Sequence, residues 1–177
     1  VPTTRSAAEA APTPGRSSRR GRALRVAAVG AVAVGVLAAC EKPAPSVTVW
    51  AGPSSVWTEA SCWGTDAASP PSGVPVCTAS TVQDALADAA AAPEVAVRAD
   101  GTVGISVDPV VADAGWYPAI GTQKLVTEPV RETYYRFTFP AGQTFPAGGF
   151  PLEIIAAGSG DVPRGVWLFR LTNASAG

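Results

Sequence analysis

The 177-residue chain contains no histidine and no methionine, and its only lysines are Lys42 and Lys124. Without an imidazole there is no Ser-His-Asp or Cys-His nucleophile system, no His-ligated zinc and no blue-copper ligand set. The Gly-rich phosphate signatures and the Ser-x-x-Lys pair are missing too. "GISVD" (Gly104–Asp108) contains Gly-x-Ser but lacks the second Gly of a nucleophile elbow, so Ser106 reads as an ordinary strand residue. Carboxylates remain. Asp108 and Asp113 fall in one turn region, and Asp161 ends "GSGD". Several oxygens together would suit a hard cation, but Asp favours turns for its own reason, accepting backbone N–H bonds. Turn chemistry is the preferred reading. Nothing specifies the facing pair of acids that glycoside hydrolysis needs, so no cofactor or metal is expected and the chain reads as a non-enzyme. The "NAS" at Asn173–Ser175 matches a glycosylation sequon and is read as chance.

What is present begins with a basic leader. Residues 1–25 carry Arg5, Arg16, Arg19, Arg20, Arg22 and Arg25 against the single acid Glu9, and no charge follows from Val26 to Cys40. A helix of ~15 residues rises only ~22 Å, short of the ~20 residues that cross a hydrocarbon core. A basic region, a short apolar region and small residues at its end make an export signal over residues 1–39. A buried core helix and an ordinary signal peptide are the other readings. "SRRGRAL" (Ser18–Leu24) hints at twin-arginine export but lacks a large apolar residue two positions after the Arg pair, so the export route stays open.

Leu37-Ala38-Ala39-Cys40 resembles a bacterial lipobox. The resemblance implies acylation of Cys40, cleavage before it and a lipid anchor on the outer face of the cell membrane. Two acyl chains would hold such a protein stably where one would not. Beyond the cut lie 138 of the 177 residues, with seven basic and thirteen acidic side chains and a net charge of −6. That is one domain's length. The acidic balance argues against nucleic acid, which demands a basic stripe, and leaves membrane attachment to the lipid alone. With Cys40 acylated, Cys62 and Cys77 remain to pair outside the cytoplasm. Two free thiols or half a metal site is the alternative.

Along the chain, residues 40–46 read as a short extended tether and 47–174 as the folded domain. "VTVW" and "SVWTEA" around "AGPSS" predict a hairpin. Gly64–Pro75 reads as loop. Ser80–Ala92 is the one helical candidate, with a capping box from Ser80 to Gln83 and Pro93 as its stop; an Ala-rich connector is the other reading. Val95–Val107 alternates about Asp100-Gly101, a strong hairpin signal. "DPVVADAGW" turns the chain over. Thr133–Phe139, Phe150–Ile155 and Gly165–Asn173 alternate as further strands. About seven short strands and 18 Gly with 17 Pro predict a mainly β, antiparallel, immunoglobulin-like sandwich.

The lipobox with "CEKP", then "VDPVVADAGW", "TYYRF" and "GVWLFRLTN", resembles a group of actinobacterial secreted lipoproteins of unknown function. The absence of Met, a start at Val1 and a composition heavy in Ala, Gly, Pro, Arg and Val fit a high-GC gene read from an alternative start codon. The resemblance spans most of residues 40–173. It implies location and a sandwich fold, and brings no reaction, substrate or partner.

Five Trp lie after the leader. Trp116 and Trp167 fall in patterned runs and read as core. Trp50 and Trp57 flank the first hairpin. Pairing Ala51 with Val56 would set the two on one face, whereas pairing Trp50 with Val56 would set them on opposite faces. A shared exposed face is a contact platform; a cross-strand pair that stabilises the sheet is the plainer reading. The function expected is an interaction or accessory module at the cell envelope with an envelope protein as partner. The alternative is a binder of a small ligand or cell-wall glycan through Trp50, Trp57 or Tyr134. An enzyme working through Asp108 and Asp113 is the third class.

Overall fold

Alternation in the first strand sets the architecture: Val47, Val49 and Ala51 are buried while Ser46, Thr48 and Trp50 point the other way. The same period of two recurs in most of the long strands, so one face of a sheet can be apolar and the other wetted, while Gly165–Asn173 is buried on both faces over most of its length. A computed structural model describes residues 43–64 and 73–174. The leader, the lipobox and Cys40 lie outside the described residues, as do most of the Gly64–Pro75 loop and the last residue of the "NAS" sequon.

The strands are β1 (Ser46–Ala51), β2 (Ser54–Glu59), β3 (Cys62–Trp63), β4 (Glu94–Val97), β5 (Thr102–Val107), β6 (Trp116–Ile120), β7 (Gln123–Lys124), β8 (Tyr134–Thr138), β9 (Phe150–Ala156) and β10 (Gly165–Asn173). Helix α1 spans Ala79–Ala87 and runs into a 3-10 turn at Asp88–Ala91, and helix α2 spans Pro109–Ala114. One sheet has the order β2-β1-β5-β8; the other runs β3-β10-β9-β6-β7, with β4 also on β10. Facing residues fill the space between them: Val47, Val49, Val103 and Ile105 from the first sheet, and Trp116, Leu152, Ile154, Trp167, Phe169 and Leu171 from the second. Each fully buried aliphatic or Phe side chain contributes about 1.5–3 kcal/mol relative to exposure. The fold is the expected β-sandwich.

Several local expectations change. Val95–Val107 is not a hairpin: β4 joins β10 in parallel in one sheet, while β5 lies between β1 and β8 in the other. The Asp100-Gly101 turn therefore crosses the sandwich. Its backbone bonds the chain after β8, through Asp100 N–H to the Phe139 carbonyl and Phe139 N–H to the Gly101 carbonyl. Alternation was read correctly as a buried face, but it does not say which strand is the partner. The parallel β4–β10 pair also departs from the all-antiparallel expectation. "DPVVADAGW" contains a second short helix, α2, with Pro109 in its first turn.

The helix over Ser80–Ala92 forms, but its capping box lies two residues earlier. Thr78 Oγ1 accepts from Thr81 N–H, and Thr81 Oγ1 accepts from Thr78 N–H. Cys77, bridged to Cys62, fixes the chain just before that cap. The helix and the bridge cover the outer face of β10, where Val166 and Leu168 pack with Cys62, Cys77, Val82 and Ala85. The 40–46 tether shortens too. Pro43 is exposed, yet Ala44 and Pro45 are buried, and the Pro45 carbonyl accepts from Ala60 N–H and Trp167 Nε1. The domain thus begins at Ala44.

The bridge closes a sequence separation of 15. Replacing Cys62 and Cys77 together by Ala is expected to lower stability by about 2–4 kcal/mol in a denaturant titration. In the native protein both thiols are expected to resist alkylation until reduced.

Candidate functional site

The turn between β1 and β2 is only Gly52-Pro53. Gly52 takes φ +56°, which a two-residue hairpin turn demands at its first position and which Gly adopts without strain. The register follows: Ala51 opposes Ser54, Trp50 opposes Ser55 and Thr48 opposes Trp57. This is neither register considered from the sequence. Its effect is to set Trp50 and Trp57 on one face, diagonal to each other, pointing away from the core.

That face extends across the sheet. Thr48 opposes Ser106, which opposes Tyr134; Trp50 opposes Gly104, which opposes Arg136. One row therefore reads Trp57, Thr48, Ser106, Tyr134, and the next reads Ser55, Trp50, Gly104, Arg136. Trp57 is 63% exposed and Tyr134 42%. Trp50 is half-buried for a local reason. A Cβ on Gly104 would stand 2.2–2.5 Å from Cε2, Cζ2 and Nε1 of Trp50, so the indole is laid across the strand at the point where a side chain is missing. The Trp50 and Tyr134 rings lie nearly parallel, 11° apart with centroids at 6.4 Å. Glycine in a strand interior weakens it unless something needs the close approach; here that something is Trp50.

The face brings together all three aromatics expected to contact a ligand or partner. Sequence reasoning missed Gly104, which looked like part of a failed nucleophile motif, and Ser106, Thr48 and Arg136, which only the cross-strand register brings beside the rings. Arg136 is exposed, and among the described residues the one ion pair is Arg170 with Glu94, elsewhere on the molecule.

The carboxylates go elsewhere. Asp108 Oδ2 accepts from Ser46 N–H at 2.7 Å and Ser46 Oγ at 3.2 Å, tying the start of β1 to the entry of α2. Asp113 is exposed, and its backbone carbonyl, not its side chain, receives Arg131 Nη1. Asp161 is exposed on the β9–β10 loop. Among the described residues no three acids or cysteines gather as a metal site would require. An open groove of about 390 Å³ lies between α1 and the strands, lined by Thr58, Ser61, Thr81, Asp84, Asp88 and Leu168 among others. It holds no aromatic ring.

No known protein family, curated protein or solved structure matches the chain.

Two changes probe these features. Gly104→Ala is expected to lift the Trp50 indole off the strand, at a cost of about 1–3 kcal/mol, with greater acrylamide quenching of Trp fluorescence. Glu153, between Ala119 and Leu168 on neighbouring strands, has its carboxyl pushed above its ordinary value by burial. Folding thus opposes its ionisation, so stability falls as pH rises from the ordinary carboxylate range through the raised folded value. Glu153→Gln is expected to melt higher than the parent at pH 7, with the gap closing once pH falls below the ordinary Glu range.

Proposed function

We propose that this chain is a lipid-anchored, extracytoplasmic binding module of the bacterial envelope, without catalytic activity, that meets its ligand or partner through the outer face of the β2-β1-β5-β8 sheet. The observation that carries the reading is the convergence of Trp50, Trp57 and Tyr134 on that one solvent-facing surface. Aromatic rings with a flat body and a polar tip are the side chains most often used at contact centres.

Support for export comes from the arginine-rich leader, the short apolar run and Leu37-Ala38-Ala39-Cys40. The bridge between Cys62 and Cys77 is the kind of bond that persists outside the cytoplasm. Support for a non-catalytic role comes from where the acids sit. Asp108 spends its carboxylate on Ser46, and Asp113 does not share a site with it. If Cys40 carries the lipid, two residues lie between it and Pro43, a reach of at most about 11 Å. The buried Ala44 and Pro45 then hold the start of β1, and with it this end of the sandwich, close to the bilayer surface.

Mass spectrometry of the protein extracted from its own membranes tests the anchor. The expected mass is a chain starting at Cys40 plus acyl groups. Cys40→Ser is expected to leave the leader attached and the lipid missing; a variant processed and acylated like the parent would refute the anchor.

A further inference from the structure

The composition of the aromatic face narrows what it binds. Between Trp57 on one edge strand and Tyr134 on the other lie three strand-to-strand steps, about 14 Å. The floor between them is made of the Thr48 and Ser106 hydroxyls, with Ser55 in the next row. No Leu, Ile, Val or Phe points outward in these two rows. A protein partner would find there no continuous apolar centre such as well-packed interfaces carry. The alternation of exposed rings with hydroxyls instead matches a ligand that alternates weakly polar C–H faces with hydroxyl rims. A pyranose has that construction: its axial C–H bonds sit against the negative face of an aromatic ring while its edges exchange hydrogen bonds. The Trp50 indole occupies the space over Gly104 that a Cβ would fill, and it remains partly exposed beside Tyr134.

Charge supplies the second constraint. In the two rows Arg136 is the only charged side chain, and among the described residues no carboxylate lies within ion-pair distance of it. Glu59 stands on the opposite edge strand, one row beyond Trp57. The face is thus cationic beside Tyr134 and anionic beyond Trp57. A guanidinium offers a planar fork that fits a carboxylate with two parallel hydrogen bonds.

We propose that this face binds a saccharide chain carrying carboxylate groups, with Trp50, Trp57 and Tyr134 against the pyranose rings and Arg136 on a carboxylate. The inference rests on the binding-module reading above and names the ligand class for the same surface.

The test uses two probes that differ in the lactyl ether that carries the carboxylate: a hexasaccharide alternating N-acetylglucosamine with N-acetylmuramic acid, and chitohexaose. Binding is read by titration calorimetry and by Trp fluorescence, on the parent and on the unlipidated Cys40→Ser protein. Loss of the anchor alone would therefore leave the saccharide result intact. The acidic oligomer is expected to bind, with Trp57→Ala and Trp50→Ala each weakening it ~10-fold or more, the size of a contact-centre truncation. Arg136→Gln is expected to reduce the acidic oligomer to the affinity of chitohexaose. Trp57 is exposed, so its variant is expected to keep the parent's melting temperature and separates lost contact from lost fold. Equal binding of both probes by the parent would overturn the carboxylate assignment. Binding of neither, or binding unchanged in both Trp variants, would overturn the saccharide proposal; a protein or lipid partner would then be the occupant.

Discussion

Trp167 donates its indole N–H to the Pro45 carbonyl at 3.0 Å, joining the last strand to the residue just before the first across 122 positions of sequence. The bond is buried, and the ring around it is fully enclosed, tilted against Trp63 at 5.7 Å. A buried indole N–H without a partner would cost about 1–3 kcal/mol. The chain before β1 must therefore enter along one path. That path also brings Pro45 to Ala60 and Ser46 to Asp108, so the start of β1 is held from β2, from β10 and from the entry of α2 at once. Trp116 anchors the other flank in the same manner, donating to the Glu132 carbonyl while packing edge-on against Tyr135.

With β1 held this way, the rest of the sheet is set by register. A one-residue slip of β2 along the held β1 would carry Trp57 inward and Val56 outward, so the apolar side chains that face the core enforce the arrangement that exposes the aromatics. The aromatic face is in that sense a consequence of the core. Gly104 adds a second link. The strand below the indole gives up a side chain, and the ring that covers it lies flat beside Tyr134. Packing on the inside and a missing Cβ on the outside together produce a surface that neither would make alone.

The opposite sheet is covered differently. Helix α1 and the Cys62–Cys77 bridge close over Val166 and Leu168, leaving Glu153 partly shielded from water between Ala119 and Leu168. Cation–ring contacts line its rim, with Lys124 over Tyr117 at 3.9 Å and Arg164 over Trp63 at 5.1 Å. This outer face is thus roofed over β10 and β3, whereas the outer face of the four-stranded sheet is open. That asymmetry is why the four-stranded sheet, rather than its partner, carries the candidate site.

Local chemistry was enough to read much of this from the sequence. Period-two alternation marked β1, β2, β5, β8, β9 and β10, and the Ser80–Gln83 spacing with Pro93 as a stop marked the helix that follows Cys77, though its cap falls two residues earlier at Thr78. These signals are short-range, because a strand's face and a helix's cap depend on residues a few positions apart. Partner choice depends on distant chain. Val95–Val97 and Val103–Val107 both alternate because both face the same core, yet they do so from opposite sheets. The two-residue turn at Gly52-Pro53 fixed a register that five loop-like residues left open. Most of all, the sequence shows Trp50, Gly104 and Tyr134 as separate residues in separate strands. Only pairing of β1, β5 and β8 brings ring, gap and ring together, since a cross-strand neighbour is defined by hydrogen-bond register and not by position in the chain.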